Sequence, residues 1–284
     1  MNEVYIMPIS INQSTPSFFS QRNIQQSQDS IQSSLEKLSS LIAINRASDN
    51  PSGLFISQGQ TSDINALNQS VRNASDGISL TQTADGALSS VTQNIQRIRE
   101  LAVQSANGTV EGREVLQLEA DQLTQELSRT LGNTEFNGQK LFDGSSSELN
   151  FQVGSEGGSG NQIKVNLESL TGLNAFSSDE NGKLTIDLSS QSTAQSAISS
   201  LDSDLDSVVK QRASFGASEN RFSSSISTSQ DRVFNLEESR SRILDTDLAK
   251  EASALVQAKI RNQAGISTLA QSNVSAQSVL SLLK

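Results

Sequence analysis

The side chains that most often carry catalysis are missing from this chain: among 284 residues there is no His and no Cys. That removes imidazole bases, thiol nucleophiles, disulfides and the usual zinc ligands together. Glycines crowd residues 154–160, but no Gly-Lys-Ser/Thr follows them to hold a phosphate. Asp179, Glu180 and Asp187 lack the spacing of a calcium loop and read as a solvated hairpin. What the remaining charged residues can do is recognise another surface. Arg97, Arg99 and Glu100 interleave with Ile95, Ile98 and Ala102, so a helix here turns its apolar side chains inward and its charges to solvent. Arg212, Glu219 and Arg240 occupy positions where the surrounding pattern expects apolar residues. Such residues either lay their stems along a narrow interface or fix its register against a partner.

Long helices must hold these groups. Across residues 198–243 apolar residues return at alternating steps of three and four: Ile198, Leu201, Leu205, Val208, Phe215, Phe222, Ile226, Val233, Leu236 and Ile243. A heptad kept this long specifies one helix, roughly 70 Å at 1.5 Å per residue, whose seam must lie against another helix. A second long seam runs through Ile64, Leu67, Val71, Ala74, Ile78, Leu88, Val91, Ile95 and Ile98, with Thr81 and Asp85 in seam slots and Gly77 and Gly86 expected to weaken it. Val115, Leu118, Leu123 and Leu127 mark a further amphipathic helix. Shorter seams lie at the two ends. Thr15-Pro16 starts a helix carrying Ile24, Ile31, Leu35, Leu38 and Ile42, and Asp49-Asn50-Pro51-Ser52-Gly53 breaks it. Beyond Asp245-Thr246-Asp247 a last helix carries Leu248, Ala252, Leu255, Ile266 and Leu269, with Leu280 and Leu283 near the end.

Between the long seams the period changes to two. Leu149, Phe151 and Val153 alternate with polar residues, as do Ile163, Val165 and Leu167, which predicts a β-hairpin; Leu184, Ile186 and Leu188 alternate again after Asn181-Gly182. The expected fold is mainly α: a long antiparallel helical bundle or coiled-coil rod with a small β-hairpin region in mid-chain. Residues 1–48 and 244–284 form terminal assembly helices, 49–143 and 191–243 the helical rod, and 144–190 its β-rich tip.

Composition agrees with seams rather than a large core, since hydrophobic residues make up 34%, aromatic residues 4%, and Trp is absent. A net charge of −10 argues against a nucleic-acid or anionic-membrane partner. No apolar run is long enough to insert in a membrane, and residues 1–20 lack the basic start and apolar stretch of a secretory signal. The end segments bury too little on their own, so they are expected to order when neighbours supply a surface.

Several motifs, in a consistent order, resemble bacterial flagellins. They include Arg72-Asn73-Ala74-Ser75-Asp76-Gly77-Ile78-Ser79, the run from Gln96-Arg97-Ile98-Arg99-Glu100-Leu101 to Asn107, and Glu135-Phe136-Asn137-Gly138. Glu219-Asn220-Arg221-Phe222, Ser239-Arg240-Ser241-Arg242-Ile243-Leu244-Asp245-Thr246-Asp247 and the final Leu280-Ser281-Leu282-Leu283-Lys284 complete the set. The resemblance implies a short flagellin without large outer domains, with no enzymatic activity and no cofactor. It would self-polymerise as a helical homopolymer, its terminal helices pairing as an inner tube and its long helices forming the layer around it. It further implies export through the flagellum's own channel without a cleaved signal peptide, an extracellular place in the filament, and a part in swimming motility. The partners it implies are the export apparatus and its chaperone, the hook-associated junction and cap proteins, and the flagellin-sensing Toll-like receptor of vertebrates. Arg97 and Leu101, with Glu119, match positions that matter for that receptor. A hook–filament junction protein, which shares the terminal helices, is the alternative reading. Leu41-Ile42-Ala43 departs from the family, standing where flagellins commonly have Gly-Leu-Arg.

Overall fold

The computed structural model describes residues 15–109, 111–145, 147–170, 172–173 and 186–282, with side chains from residue 17 to residue 274 of these. Helix α1 spans Thr15–Ser40, α2 Pro51–Ser105, α3 Arg113–Asn133, α4 Gln191–Leu244 and α5 Leu248–Leu282. Between α3 and α4 lie the short strands β1 (Glu135–Phe136), β2 (Gln139–Lys140), β3 (Glu148–Gln152) and β4 (Gln162–Asn166). The chain gathers into two compact units, one formed by Met1–Ser62 with Leu236–Lys284 and the other by Asp63–Asn235. The first unit therefore takes in the start of α2 and the end of α4, beyond the boundaries expected at residues 48 and 244.

Helix starts follow local chemistry. Asn50 caps α2, its Oδ1 accepting from the Gly53 amide at 3.0 Å and from Ser52 Oγ at 2.9 Å, while Pro51 takes the first helical position. The run at residues 49–53 is thus less a break than a built helix start. Gly53 serves close approach there, since a Cβ would lie 2.7 Å from Asn50 Nδ2 and from Ile44 Cδ1. Asp247 caps α5 in the same way, its Oδ1 accepting from the Ala249 and Lys250 amides at 3.0 and 3.1 Å. At the other end of α2, Arg113 donates to the carbonyls of Ser105 and Asn107 at 2.9 and 3.0 Å, closing the C-terminal turn.

In the central unit α2, α3 and α4 share one apolar core with the hairpin and the segment before α4. The buried face of α4 runs through Ala194, Ala197, Leu201, Asp204, Val208, Gln211, Phe215, Ser218, Phe222 and Ser229. Leu201, Val208, Phe215 and Phe222 sit where the heptad put them, but the alternate column is shifted by one residue. Ile198, Leu205 and Ile226 are only half-buried against the core, and Asp204, Gln211 and Ser218 are buried instead. The cause is a second neighbour. Gln211 Nε2 donates to the Asn166 carbonyl at 2.7 Å and Ser225 Oγ to that of Val153 at 3.4 Å, so this flank is covered by polar backbone at the hairpin ends. Further along, Val233, Leu236 and Ile243 are half-buried.

The same shift appears on α2, where Ser70, Gly77 and Ala84 fill the inner column while Val71, Ile78 and Asp85 flank it. Gly77 is required there: a Cβ would come within 2.5 Å of the Phe222 ring, so the glycine is the hole for that knob. Gly86 has nothing within 4 Å. On α3 the buried residues are Ala120, Thr124, Leu127 and Leu131. Val115 and Leu118 lie off that phase, Val115 with 70% of its surface exposed, so the expected seam holds only at its C-terminal end.

The expected hairpin forms as β3 paired antiparallel with β4, Leu149 opposite Val165 and Phe151 opposite Ile163. Phe151 meets Phe222 edge-on, their centroids 5.4 Å apart. Asn137 and Gly138, with φ of 52° and 77°, make a tighter hairpin of β1 and β2 that sequence periodicity did not announce. Ile186 and Leu188 are buried but form no strand. The Gln117 side chain stands in for one: its Nε2 donates to the Ile186 carbonyl at 3.0 Å and its Oε1 accepts from the Leu188 amide at 2.5 Å. Leu184 and the Asn181-Gly182 turn lie outside the described residues.

Candidate functional site

Three groups of residues bear on function, and the first is the helix pair α1·α5. Its inner face is small. Ser20, Ser27 and Ser34 are buried on α1, and Ala258 is buried on α5. Ser34 Oγ donates to Glu251 Oε1 at 2.6 Å, and Gly265 leaves room for Ile24, whose Cγ1 would lie 2.9 Å from any Cβ placed there. Small side chains let two helices approach closely but fill little space between them. An open polar cleft of 450 Å³ is left, lined by Ser20, Ser27, Arg261 and Gly265 among others.

The large apolar side chains of this pair are displaced to its flanks and outer faces. Ile24, Ile31, Leu38, Leu255 and Leu269 are half-buried. Leu35, Leu248 and Ile266 are about half exposed or more, as are Phe18, Phe19, Val256 and Ile260, which the heptad did not select. Ile42 is not on the helix. It lies past the end of α1 in an antiparallel bridge with Asp245, flanked by the Ala43 amide donating to the Leu244 carbonyl at 2.6 Å. The Leu280 side chain and Leu283 fall outside the described residues.

The second group is on α2 and α3. Arg97 donates through Nη2 to Glu119 Oε1 at 2.7 Å and through Nη1 to Glu100 Oε2 at 3.0 Å, all three being exposed enough to meet a partner. Leu101 does not share that surface. It is 1% exposed, buried in the core of the central unit, where it can only support the helix that carries Arg97.

The third group joins α2 to α4. In the central unit Arg212 Nε donates to Asp85 Oδ1 at 2.7 Å, Gln82 Nε2 to Glu219 Oε1 at 2.8 Å and Arg99 Nε to Asp202 Oδ1 at 2.6 Å. In the terminal unit Gln60 Nε2 donates to Ser239 Oγ at 2.9 Å, and Arg240 Nη1 lies 3.5 Å from Thr61 Oγ1. In the central unit the α4 partner falls from 219 to 212 to 202 as the α2 partner rises from 82 to 85 to 99, which is antiparallel pairing. Arg212 and Glu219 therefore hold intrachain register, while Arg240 makes one long contact with Thr61. Among the described residues no group of His, Cys, Asp or Glu could hold a metal ion, and no helix is long and apolar enough to cross a membrane.

Comparison with known proteins decides the family. Residues 11–147 match the bacterial flagellin N-terminal helical region and residues 198–283 the bacterial flagellin C-terminal helical region. This chain belongs to the bacterial flagellin family. A flagellin of Halalkalibacterium halodurans is 38% identical over 96% of this chain and 99% of its own length. A flagellar filament 33 kDa core protein of Treponema phagedenis is 36% identical over the same shares. Among solved structures, one assigned to a flagellar hook-associated protein of Vibrio parahaemolyticus covers 69% of this chain and all of its own, with a TM-score of 0.57. At 13% identity that likeness speaks for the fold alone. Flagellins are structural proteins rather than enzymes, and they self-polymerise into the extracellular flagellar filament.

Proposed function

We propose that this chain polymerises through the outer faces of α1 and α5, which form the inner tube of a filament used in swimming, while the central unit forms the layer around it. The observation that carries this reading is the inversion of the α1·α5 pair: serines, alanine and glycine inside, and Phe18, Phe19, Leu35, Val256, Ile260 and Ile266 outside. A helix pair meant to stand alone would bury those side chains, each contributing about 1.5–3 kcal/mol. Left exposed, they need neighbours of the same kind. Deleting residues 1–42 or 248–284 is expected to abolish filaments in seeded polymerisation viewed by electron microscopy, with the core of residues 63–235 still folded. Filaments from either truncated chain would defeat the reading.

The same reading includes travel through the flagellum's own export apparatus with a chaperone, without a cleaved signal peptide, and contact with junction and cap proteins at the filament ends. A second role rests on a separate observation, the exposed Arg97–Glu119 pair. It presents a bidentate-capable cation and a carboxylate together on a rigid helical surface, which suits recognition by the flagellin-sensing Toll-like receptor. Arg97→Ala should lower receptor activation with no change in melting temperature. Leu101→Ala should lower it only along with stability, because Leu101 is core. Full activation by Arg97→Ala would remove this role.

A further inference from the structure

We propose that Leu41 is a contact point for a second copy of this chain, and that assembly offsets the backbone strain it carries. Among the described residues two that are not glycine have left-handed backbones, Asn137 at φ 52° and Leu41 at φ 60°. Asn137 lies in a two-residue hairpin turn that requires this conformation, and asparagine tolerates it. Leucine does not, because its Cβ crowds the following carbonyl. Leu41 follows the last residue of α1, where a glycine ordinarily turns the chain.

The conformation is clamped. The Thr246 amide donates to the Leu41 carbonyl at 3.1 Å, the Ala43 amide to the Leu244 carbonyl at 2.6 Å, and Ile42 bridges Asp245. Asn45 Nδ2 donates to Ser40 Oγ and to the Ile42 carbonyl, each at 2.9 Å. The same clasp buries Thr246 Oγ1 without a hydrogen-bond partner, a second local cost. Strain of this kind persists where its surroundings over-determine it and where it serves a function.

Inside the subunit the Leu41 side chain gains little, being 57% exposed. The clamp holds the backbone and leaves the apolar side chain outward. Leu35 and Leu248, in the same compact unit, are likewise about half exposed. A second copy is the occupant because flagellins polymerise, and this inference rests on the proposal that this chain does so through its terminal unit.

The test uses full-length protein in seeded polymerisation, with critical concentration and melting temperature read for each variant. Leu41→Gly and Leu41→Asn accept the backbone but lose the apolar side chain, whereas Leu41→Met keeps one of similar size. The first two should melt no lower than wild type, yet need at least about tenfold more protein to polymerise. Leu41→Met should polymerise near the wild-type concentration. Leu41→Gly and Leu41→Asn polymerising at the wild-type concentration, or both melting lower than wild type, would overturn the inference. A wild-type chain that forms no filaments would overturn the polymer reading beneath it.

Discussion

At the scale of single residues, neighbours decide what each glycine and carboxylate does. Gly77 and Gly86 lie on one helix and have the same intrinsic cost there, yet only Gly77 faces the Phe222 ring. Gly77→Ala should destabilise the chain by about 1–3 kcal/mol through overpacking, outweighing the better helix propensity of alanine. Gly86→Ala should stabilise it by up to about 1 kcal/mol, and urea unfolding of the two variants gives the comparison. Asp49 closes the turn between α1 and α2, its Oδ2 accepting from the Arg46 and Asn45 amides at 2.9 and 3.1 Å. The hydrogen bond from Arg46, with a further one from Asn45, holds its pKa below the ordinary carboxylate value. A depressed folded-state pKa stabilises the turn above the unfolded-state value, and that contribution is lost as pH falls through the folded-state value. Hydrogen exchange at the Asn45 and Arg46 amides, corrected for intrinsic rates, should therefore show less protection below about pH 4, and Asp49→Asn should remove the pH dependence. Unchanged protection on acidification would contradict this.

Elements show what the sequence could and could not announce. The five helices, their order and the β3–β4 hairpin were legible, because periods of 3.5 and 2 in apolar residues state them directly. The phase of the long seams was legible only in part. Ile198, Leu205 and Ile78 are more apolar than their buried neighbours Ala197, Asp204 and Gly77, so a hydrophobic pattern selects the flank over the true centre. Only the polar ends of the hairpin and the Phe222 ring explain the inner column. The α1·α5 seam was hidden for a related reason, since serine, alanine and glycine leave no apolar signal. The small inner face makes a sharp prediction. Ala258→Leu, at a position with no exposed surface, should separate α1 from α5 and cost about 1–3 kcal/mol. Limited proteolysis should then cut within α1 and α5 before the central unit. Equal resistance would mean that the pair is not closed through these residues.

On the scale of the whole molecule, charge divides as the units do. Residues 63–235 hold 22 acidic and 12 basic side chains, so all of the net −10 lies there, while the terminal unit has nine of each. Copies that assemble through a neutral unit bring their acidic central units together, and salt screens that repulsion. Raising sodium chloride from about 0.01 M to about 0.1 M shortens the Debye length from about 30 Å to about 10 Å. The critical concentration should fall several-fold over that range, and no change would rule out close approach of the central units. The central claim is that the exposed apolar side chains of α1 and α5 make the polymer while their inner face only pairs them. It is tested most directly by seeded polymerisation of the double variant Val256→Asp, Ile260→Asp, two residues more than half exposed in the subunit. The account predicts wild-type helix content and melting temperature with no filaments by electron microscopy; filaments at the wild-type critical concentration would contradict it.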